Sequence, residues 1–259
     1  MIILHECKKA PIKTAVFDFD GTISTLRCGW EGVMEPLMTE ILYGDHPTTH
    51  EIRHVRDYIS ASTGIQTILQ MKWICEELTA MGREPLSPWD YKAEYNRRLL
   101  KMVELRRQRA ANGETDKFLM KGSREFLAAV QAKGVRLYAA SGTDDADVKR
   151  EAEILGIAPF FDEIAGALPR SEDCSKEATL RRLIGMGKGE GLLVVGDGPV
   201  EIRLGRQFGA ATLGIAGKER ELSGFDDVKI KRLTDAGAHI LCDCFENKQE
   251  IFEFLEGQV

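Results

Sequence analysis

Two aspartates, Asp18 and Asp20, follow a short apolar run at residues 15–17. Such a run is typical of a buried parallel strand, and the carboxyl edge of an open α/β sheet is where ligands bind. Two carboxylates this close repel each other unless a cation or a proton offsets their charge. A solvated Asp-x-Asp-Gly turn is the alternative, but the preceding strand and the following Thr22 favour a site for a hard cation such as Mg²⁺.

A second polar group follows residues 135–140, where Ser141 and Gly142 come at the predicted end of another strand. A small hydroxyl and a glycine N–H at a strand end form a compact cradle for phosphate oxygens. The same Ser-Gly-Thr letters are common in ordinary turns. This segment therefore gains its meaning only together with the aspartates.

Lys176 stands at the start of a helix predicted over residues 176–186. A fixed cation stabilises the charge of a phosphoryl group in transfer. Taken alone, this lysine is most simply a solvated surface residue. A functional role for Lys176 therefore depends on its order among the other segments.

Two further acids, Asp197 and Glu201, follow the apolar residues 192–195. Pro199 suits the first turn of the next helix, and Asp197 taken alone would be its N-cap. The residues of this segment alone do not decide between an N-cap and a ligand role for Asp197.

In order along the chain, these four segments resemble the four motifs of the haloacid dehalogenase superfamily. The resemblance implies that Asp18 is the nucleophile of an aspartyl-phosphate intermediate. It implies that Asp20 first protonates the leaving group and then activates water. It also implies a Mg²⁺ cofactor held by Asp18, the backbone carbonyl of Asp20 and Asp197.

By the same resemblance, Ser141, Gly142 and Lys176 hold the transferred phosphoryl group. Glu201 stands where many members of the superfamily have Asp. Its longer side chain leaves open whether it binds the ion directly or through water, and we expect it to lie outside direct contact.

The elements that must position these residues fall into two groups. After residue 118, strands predicted at 135–140, 163–166, 192–195, 211–215 and 239–241 alternate with helices, which predicts a parallel sheet covered on both faces. Four helices without strands are predicted earlier, over residues 30–43, 51–60, 65–81 and 89–109. We therefore expect a Rossmann-like α/β core, residues 1–26 and 117–259, with an all-helical cap inserted at residues 27–116.

The inserted cap is where we expect substrate specificity, because the core motifs recognise only phosphate and metal. In the capped enzymes that the chain resembles, a specificity loop joins two cap helices. The turn at residues 62–66 fits this place: Gly64 permits a close backbone approach, and Gln66 supplies both a donor and an acceptor. A plain helix–helix turn is the alternative.

A competing signal is the His-Glu-x-x-His sequence from His50 to His54, the signature of zinc proteases. On a helix it places both histidines on one face with Glu51 as the general base, and Glu76 or Glu77 is within reach as a third ligand. The continuation that metzincins require is missing, and a bare five-residue match has a high false-positive rate. We interpret the segment as a solvated helix of the insertion.

Composition limits the classes of function. The chain has 259 residues, of which 43% are hydrophobic and 29% charged, with a net charge of −6. These values are typical of a globular protein and give no general footprint for nucleic acid or an anionic membrane. The N-terminus lacks the order of charges of a signal peptide, so a cytoplasmic location is expected.

We therefore predict a Mg²⁺-dependent phosphatase acting on a small phosphomonoester, such as a sugar phosphate or phosphoglycolate. A sugar phosphomutase is the main alternative, because it keeps both aspartates; Thr22 favours the phosphatase, since mutases of this family often have Val there. A dehalogenase has no need of Asp20. A phosphonatase requires a Schiff-base lysine that matches no motif in the insertion. A non-catalytic binding protein has no reason to keep every motif.

Overall fold

The computed structural model describes residues 1–168, 178, 181–182 and 191–256. The chain divides into two compact units, one formed by Met1–Cys28 with Arg106–Val259 and the other by Gly29–Leu105. Lys176, predicted to hold the phosphoryl group, lies outside the described residues.

The first unit is organised around a sheet whose neighbouring strands are mostly parallel. In chain order the described strands are β1 (Ile2–Ile3), β2 (Thr14–Asp18), β3 (Arg136–Asp144), β4 (Glu163–Ala167), β5 (Leu192–Gly196), β6 (Ala211–Ile215) and β7 (Ile240–Cys242). Their order across the sheet is β1-β7-β6-β5-β2-β3-β4. The edge strand β1 pairs antiparallel with β7, and the other pairs are parallel. This arrangement confirms the predicted α/β fold class.

Helices flank the sheet and also make up the second unit. In chain order the described helices are α1 (Glu31–Tyr43), α2 (Thr49–Ala61), α3 (Thr67–Ala80), α4 (Pro88–Arg109), α5 (Ser123–Ala132), α6 (Asp145–Ile154), α7 (Pro199–Gln207), α8 (Asp227–Asp235) and α9 (Lys248–Glu256). Within the part of the chain that the structure describes, none combines the length and the apolar character needed to cross a membrane.

The central strand β2 explains why the sheet is buried on both faces. Its residues alternate between two apolar clusters, with Ala15 and Phe17 in one and Val16 in the other. Side chains of successive strand residues point to opposite faces. Burial on both sides favours the continuous apolar runs from which the strands were predicted.

The second unit packs helices around its own core. Buried apolar side chains from α1, α3 and α4 meet there, among them Met34, Met71 and Tyr95. Helix α2 begins with a capping box, in which the Thr48 hydroxyl accepts from the Glu51 N–H and the Glu51 carboxylate accepts from the Thr48 N–H.

The boundaries of the units differ from the predicted ones at residues 27 and 117. The first unit keeps Arg27 and Cys28 and begins again at Arg106. The physical reason is a set of polar contacts within that unit: the Arg106 guanidinium donates to the carbonyls of Leu26 and Cys28 at 2.8 and 2.7 Å. Strand β1 and helices α8 and α9 were not predicted.

Candidate functional site

Two of the predicted carboxylates lie at the same edge of the sheet. Asp18 is the last residue of β2, and Asp197 follows the last residue of β5. Because these strands are parallel neighbours, their carboxyl ends meet. Asp18 is 6% exposed, and its Oδ1 accepts a hydrogen bond from the Phe19 N–H at 2.7 Å.

Glu201 joins the two aspartates from the first turn of α7. One ligand oxygen from each of Asp18, Asp197 and Glu201 lies within 4.8 Å of the others, and all three residues are buried. Glu201 Oε1 also accepts from the Gly198 N–H at 2.7 Å. Because carboxylates this close to one another repel each other and oxygen ligands suit hard cations, these residues fit a divalent ion such as Mg²⁺.

Two glycines make room for this group of acids. Gly21 has a φ of +75°, and a Cβ at this position would overlap the Asp197 carboxylate. A Cβ at Gly196 would overlap the Glu201 carboxylate. The glycines of the two motifs are therefore required by the space that the acids occupy.

Asp20 follows Asp18 by two residues, and its carboxylate is held by two hydroxyls of β3. Its Oδ2 accepts from Ser141 Oγ at 2.8 Å and from Thr143 Oγ1 at 2.9 Å. Ser141 was predicted to bind phosphate, and here its hydroxyl donates to Asp20. Thr143 was not singled out, although its place two residues beyond Ser141 on one strand puts both side chains on the same face.

Arg27 is a neighbour of Asp20 that the sequence did not indicate. Its Nε lies 3.7 Å from Asp20 Oδ1, a buried oxygen with no hydrogen bond among the described residues. Its Nη2 donates to Glu151 Oε1 at 2.7 Å. Burial alone would lower the pKa of Arg27, but the carboxylates of Glu151 and Asp20 outweigh burial and raise it. Arg27 therefore stays a fixed cation beside Asp20.

Glu151, on α6, is the centre of the buried ion pairs to which Arg27 belongs. Its side chain is 0% exposed, and its Oε1 also accepts from Arg107 Nη2 at 2.6 Å. Arg107 donates further to Asp147 Oδ1 at 2.8 Å. Burial raises the pKa of the Glu151 carboxyl, and the Arg27 guanidinium opposes that shift. The two arginines offset the cost of burying this acid.

Lys229 is a second cation that no motif contains. Its Nζ lies 2.8 Å from Asp197 Oδ2 and 2.9 Å from Glu219 Oε1. Burial alone would lower the pKa of Lys229, while Asp197 and then Glu219 raise it. Thr22 reaches the other oxygen of the same aspartate, with Oγ1 to Asp197 Oδ1 at 3.3 Å.

The remaining predicted residues occupy different places. Gly142 is half-buried in β3 between Ser141 and Thr143. Gly64, with a φ of +88°, and the buried Gln66 lie in the turn between α2 and α3 of the second unit. Their role in substrate specificity stays a prediction.

The His-Glu-x-x-His segment has structural partners in the second unit. The Glu51 carboxylate accepts from the Thr48 N–H and hydroxyl at 2.6 and 2.7 Å. His54 Nε2 lies 3.2 Å from Glu77 Oε2, and its ring is 5.4 Å from that of Trp73. Within the described ranges, the metal-type group that forms is the one at Asp18, not this one.

Comparison with known proteins gives a family and a fold. Residues 12–209 match the family described as haloacid dehalogenase-like hydrolase. No curated protein matches the chain. Among solved structures, a predicted phosphoglycolate phosphatase from Haemophilus somnus is 16% identical, with a TM-score of 0.60 and coverage of 94% of this chain and 99% of that one.

Two other similar structures carry a different description. A putative β-phosphoglucomutase from Bacteroides vulgatus is 16% identical, with a TM-score of 0.65 and coverage of 96% of this chain and 90% of that one. A β-phosphoglucomutase from Clostridium difficile is also 16% identical, with a TM-score of 0.62 and coverage of 93% and 97%. At this identity the likeness concerns the fold.

The buried ion pairs give a stability prediction. Glu151→Gln should lower the free energy of unfolding by about 3–5 kcal/mol, because Arg27 and Arg107 lose a buried partner. Glu114→Gln is the matched control, since Glu114 pairs with Arg109 at a more exposed site and should change stability little. Urea unfolding measures both variants, and equal effects would contradict the importance of the buried pairs.

Proposed function

This chain belongs to the haloacid dehalogenase-like hydrolases, and on that premise we propose that it is a cytoplasmic phosphatase. Its substrate is a small phosphomonoester, such as a sugar phosphate or phosphoglycolate. The observation that supports this proposal best is the group of buried acids at one sheet edge, Asp18, Asp197 and Glu201, whose ligand oxygens lie within 4.8 Å of one another. Asp20 stands beside them with its own hydrogen-bond donors.

In the proposed first step, an oxygen of Asp18 attacks phosphorus and forms the aspartyl-phosphate. The bond from phosphorus to the substrate oxygen breaks, and that oxygen takes a proton from Asp20. The Phe19 N–H bonded to Asp18 Oδ1 fixes the orientation of the nucleophile's carboxylate.

In the second step, Asp20 takes a proton from a water molecule, whose oxygen attacks the same phosphorus. Inorganic phosphate leaves and the Asp18 carboxylate is restored. The rotation of the Asp20 carboxylate is limited on both of its oxygens. One accepts hydrogen bonds from Ser141 and Thr143, and the other lies near Arg27. Such positioning is what general acid and base catalysis requires.

A divalent cation fits the acids of this site. Asp18, the backbone carbonyl of Asp20 and Asp197 would hold Mg²⁺, and the structure brings Glu201 near enough to be a further candidate ligand. Bound there, Mg²⁺ would neutralise charge on the acids and on the phosphoryl group. A set made of oxygen ligands suits Mg²⁺ better than Zn²⁺, which is usually bound through His or Cys.

A sugar phosphomutase remains the alternative function. It would use the same two aspartates, and the likeness to solved structures includes proteins of both descriptions. We favour the phosphatase because Thr22 stands where mutases of the family often have Val; its hydroxyl donates to Asp197. Two assays distinguish the phosphatase from the mutase. A phosphatase releases inorganic phosphate from members of a panel of sugar phosphates and phosphoglycolate. A mutase converts a sugar 1-phosphate to its 6-phosphate.

The nucleophile assignment predicts the effect of Asp18→Asn. Phosphate release should fall by at least about 1,000-fold, because an amide cannot form the covalent intermediate. The fold should persist, as judged by circular dichroism and thermal unfolding. The exposed Asp116→Asn variant is the control and should keep full activity; retention of a tenth of the activity in Asp18→Asn would disprove the assignment.

The acid role of Asp20 predicts an effect that depends on the leaving group. In Asp20→Asn, kcat/KM for an alkyl phosphate should fall by about 100-fold or more, because the alkoxide needs a proton to leave. The loss on p-nitrophenyl phosphate should be much smaller, since its phenolate leaves without protonation. Equal losses on both substrates would show that Asp20 is not the acid.

The metal assignment predicts the response to chelation. Removal of divalent ions should abolish phosphate release, and added Mg²⁺ should restore it without any need for Zn²⁺. His50→Ala should have no effect, because His50 is not among the acids that would hold the ion, Asp18, Asp197 and Glu201. Stoichiometric zinc in the purified protein, lost in His50→Ala, would instead support a zinc site in the second unit.

A further inference from the structure

Helix α8 brings a buried lysine to one of the acids that would hold the metal. Lys229 is 8% exposed and bonds Asp197 Oδ2 at 2.8 Å. The backbone N–H of Lys229 donates to the N-capping Asp226 at 3.0 Å, which fixes the first turn of the helix. One turn later, Arg232 Nη2 donates to the carbonyl of Asp197 at 3.1 Å. The helix is therefore attached to Asp197 through two side chains.

Lys229 pairs with two acids, of which only one belongs to the candidate metal site. Asp197 belongs to the group whose ligand oxygens lie within 4.8 Å of one another, whereas Glu219 is not a member. The Lys229 Nζ lies 2.9 Å from Glu219 Oε1. Glu219 thus draws part of the positive charge away from the metal group. Both ion pairs are largely buried, so salt screens them less than it screens surface pairs.

We propose that Lys229 is an internal counter-ion of the metal site, and that it weakens the binding of a divalent cation at Asp197. Its ammonium group binds an oxygen of a ligand residue, so it competes with the metal for the same negative charge. A fixed positive charge bonded to a ligand residue would also repel a divalent cation held by that residue. Lys229 acts through Asp197 and is a positioning residue, and the inference rests on the proposed metal site.

In the competing explanation, Lys229 has a purely structural role and holds Asp197 in its orientation. The two explanations predict opposite signs for the loss of the charge. If Lys229 only orients Asp197, its loss would leave Asp197 less ordered and divalent ions would bind more weakly. Without a competing cation, the same acids would bind divalent ions more tightly. The sign of the change in metal affinity therefore decides between them.

The test is a titration of the full chain with Mn²⁺, in which the free ion is measured by electron paramagnetic resonance. A second titration measures Mg²⁺ binding by its competition with Mn²⁺. Lys229→Met removes the charge at similar side-chain length and should bind Mn²⁺ on the order of ten-fold more tightly. Lys229→Arg keeps the charge and should restore an affinity near that of the unmodified chain. A decrease or no change in the affinity of Lys229→Met would overturn the proposal.

Lys231→Met is the matched control, because Lys231 lies on the same helix with a 78% exposed side chain paired to Asp235. It should leave the affinity unchanged. Glu219→Gln tests the same proposal independently, because its result does not depend on whether the Lys229→Met variant folds. It leaves the Lys229 charge directed at Asp197 alone, so it should weaken Mn²⁺ binding several-fold, and an unchanged or tighter affinity would contradict the proposal.

The metal site itself is checked in the same titration. If the unmodified chain binds Mn²⁺ and Asp18→Asn weakens that binding, the proposed site is supported whatever Lys229 does. If the unmodified chain binds no Mn²⁺ at all, the metal assignment of the proposed function fails, and the inference about Lys229 fails with it. Binding that Lys229→Met leaves unchanged rejects the inference alone.

Discussion

The repulsion between acids at the carboxyl edge of β2 and β5 is the constraint on which the rest of the site depends. Three buried carboxylates, those of Asp18, Asp197 and Glu201, have ligand oxygens within 4.8 Å of one another. Charges of one sign at this distance are tolerated in a protein interior where a cation or a proton offsets them. The fold supplies Lys229 at Asp197 and Arg27 near Asp20, and the proposed Mg²⁺ would supply further positive charge.

The two fixed cations contact different acids of the site. Lys229 contacts Asp197, on the side where the ion would be held. Arg27 lies near Asp20, on the side where the proton would be transferred. Arg27 is itself held by Glu151, which is fully buried. Lys229 is in turn paired with Glu219, so each of these two acids has a buried cation that is itself bonded to a further carboxylate.

Sequence patterns predicted the parts of the site that lie on local elements. Asp18 and Asp197 each follow an apolar strand, and the rule that parallel strands end at one edge was enough to bring them together. Arg27 and Lys229 could not be found in this way, because an ion pair between distant residues leaves no periodic signal in either segment. The boundary of the first unit at Arg106 was not predicted for the same reason, since it depends on contacts with carbonyls that are far away in the chain.

The pair of hydroxyls on β3 gives the phosphate prediction for Ser141 a physical basis. A serine hydroxyl has a single proton to donate, and in this structure Ser141 donates it to Asp20 Oδ2. If that proton turned to a phosphoryl oxygen, Asp20 Oδ2 would still accept from Thr143, and Arg27 would still lie near Oδ1. With this second hydroxyl, the proposed acid would keep its orientation if Ser141 bound the phosphate as predicted.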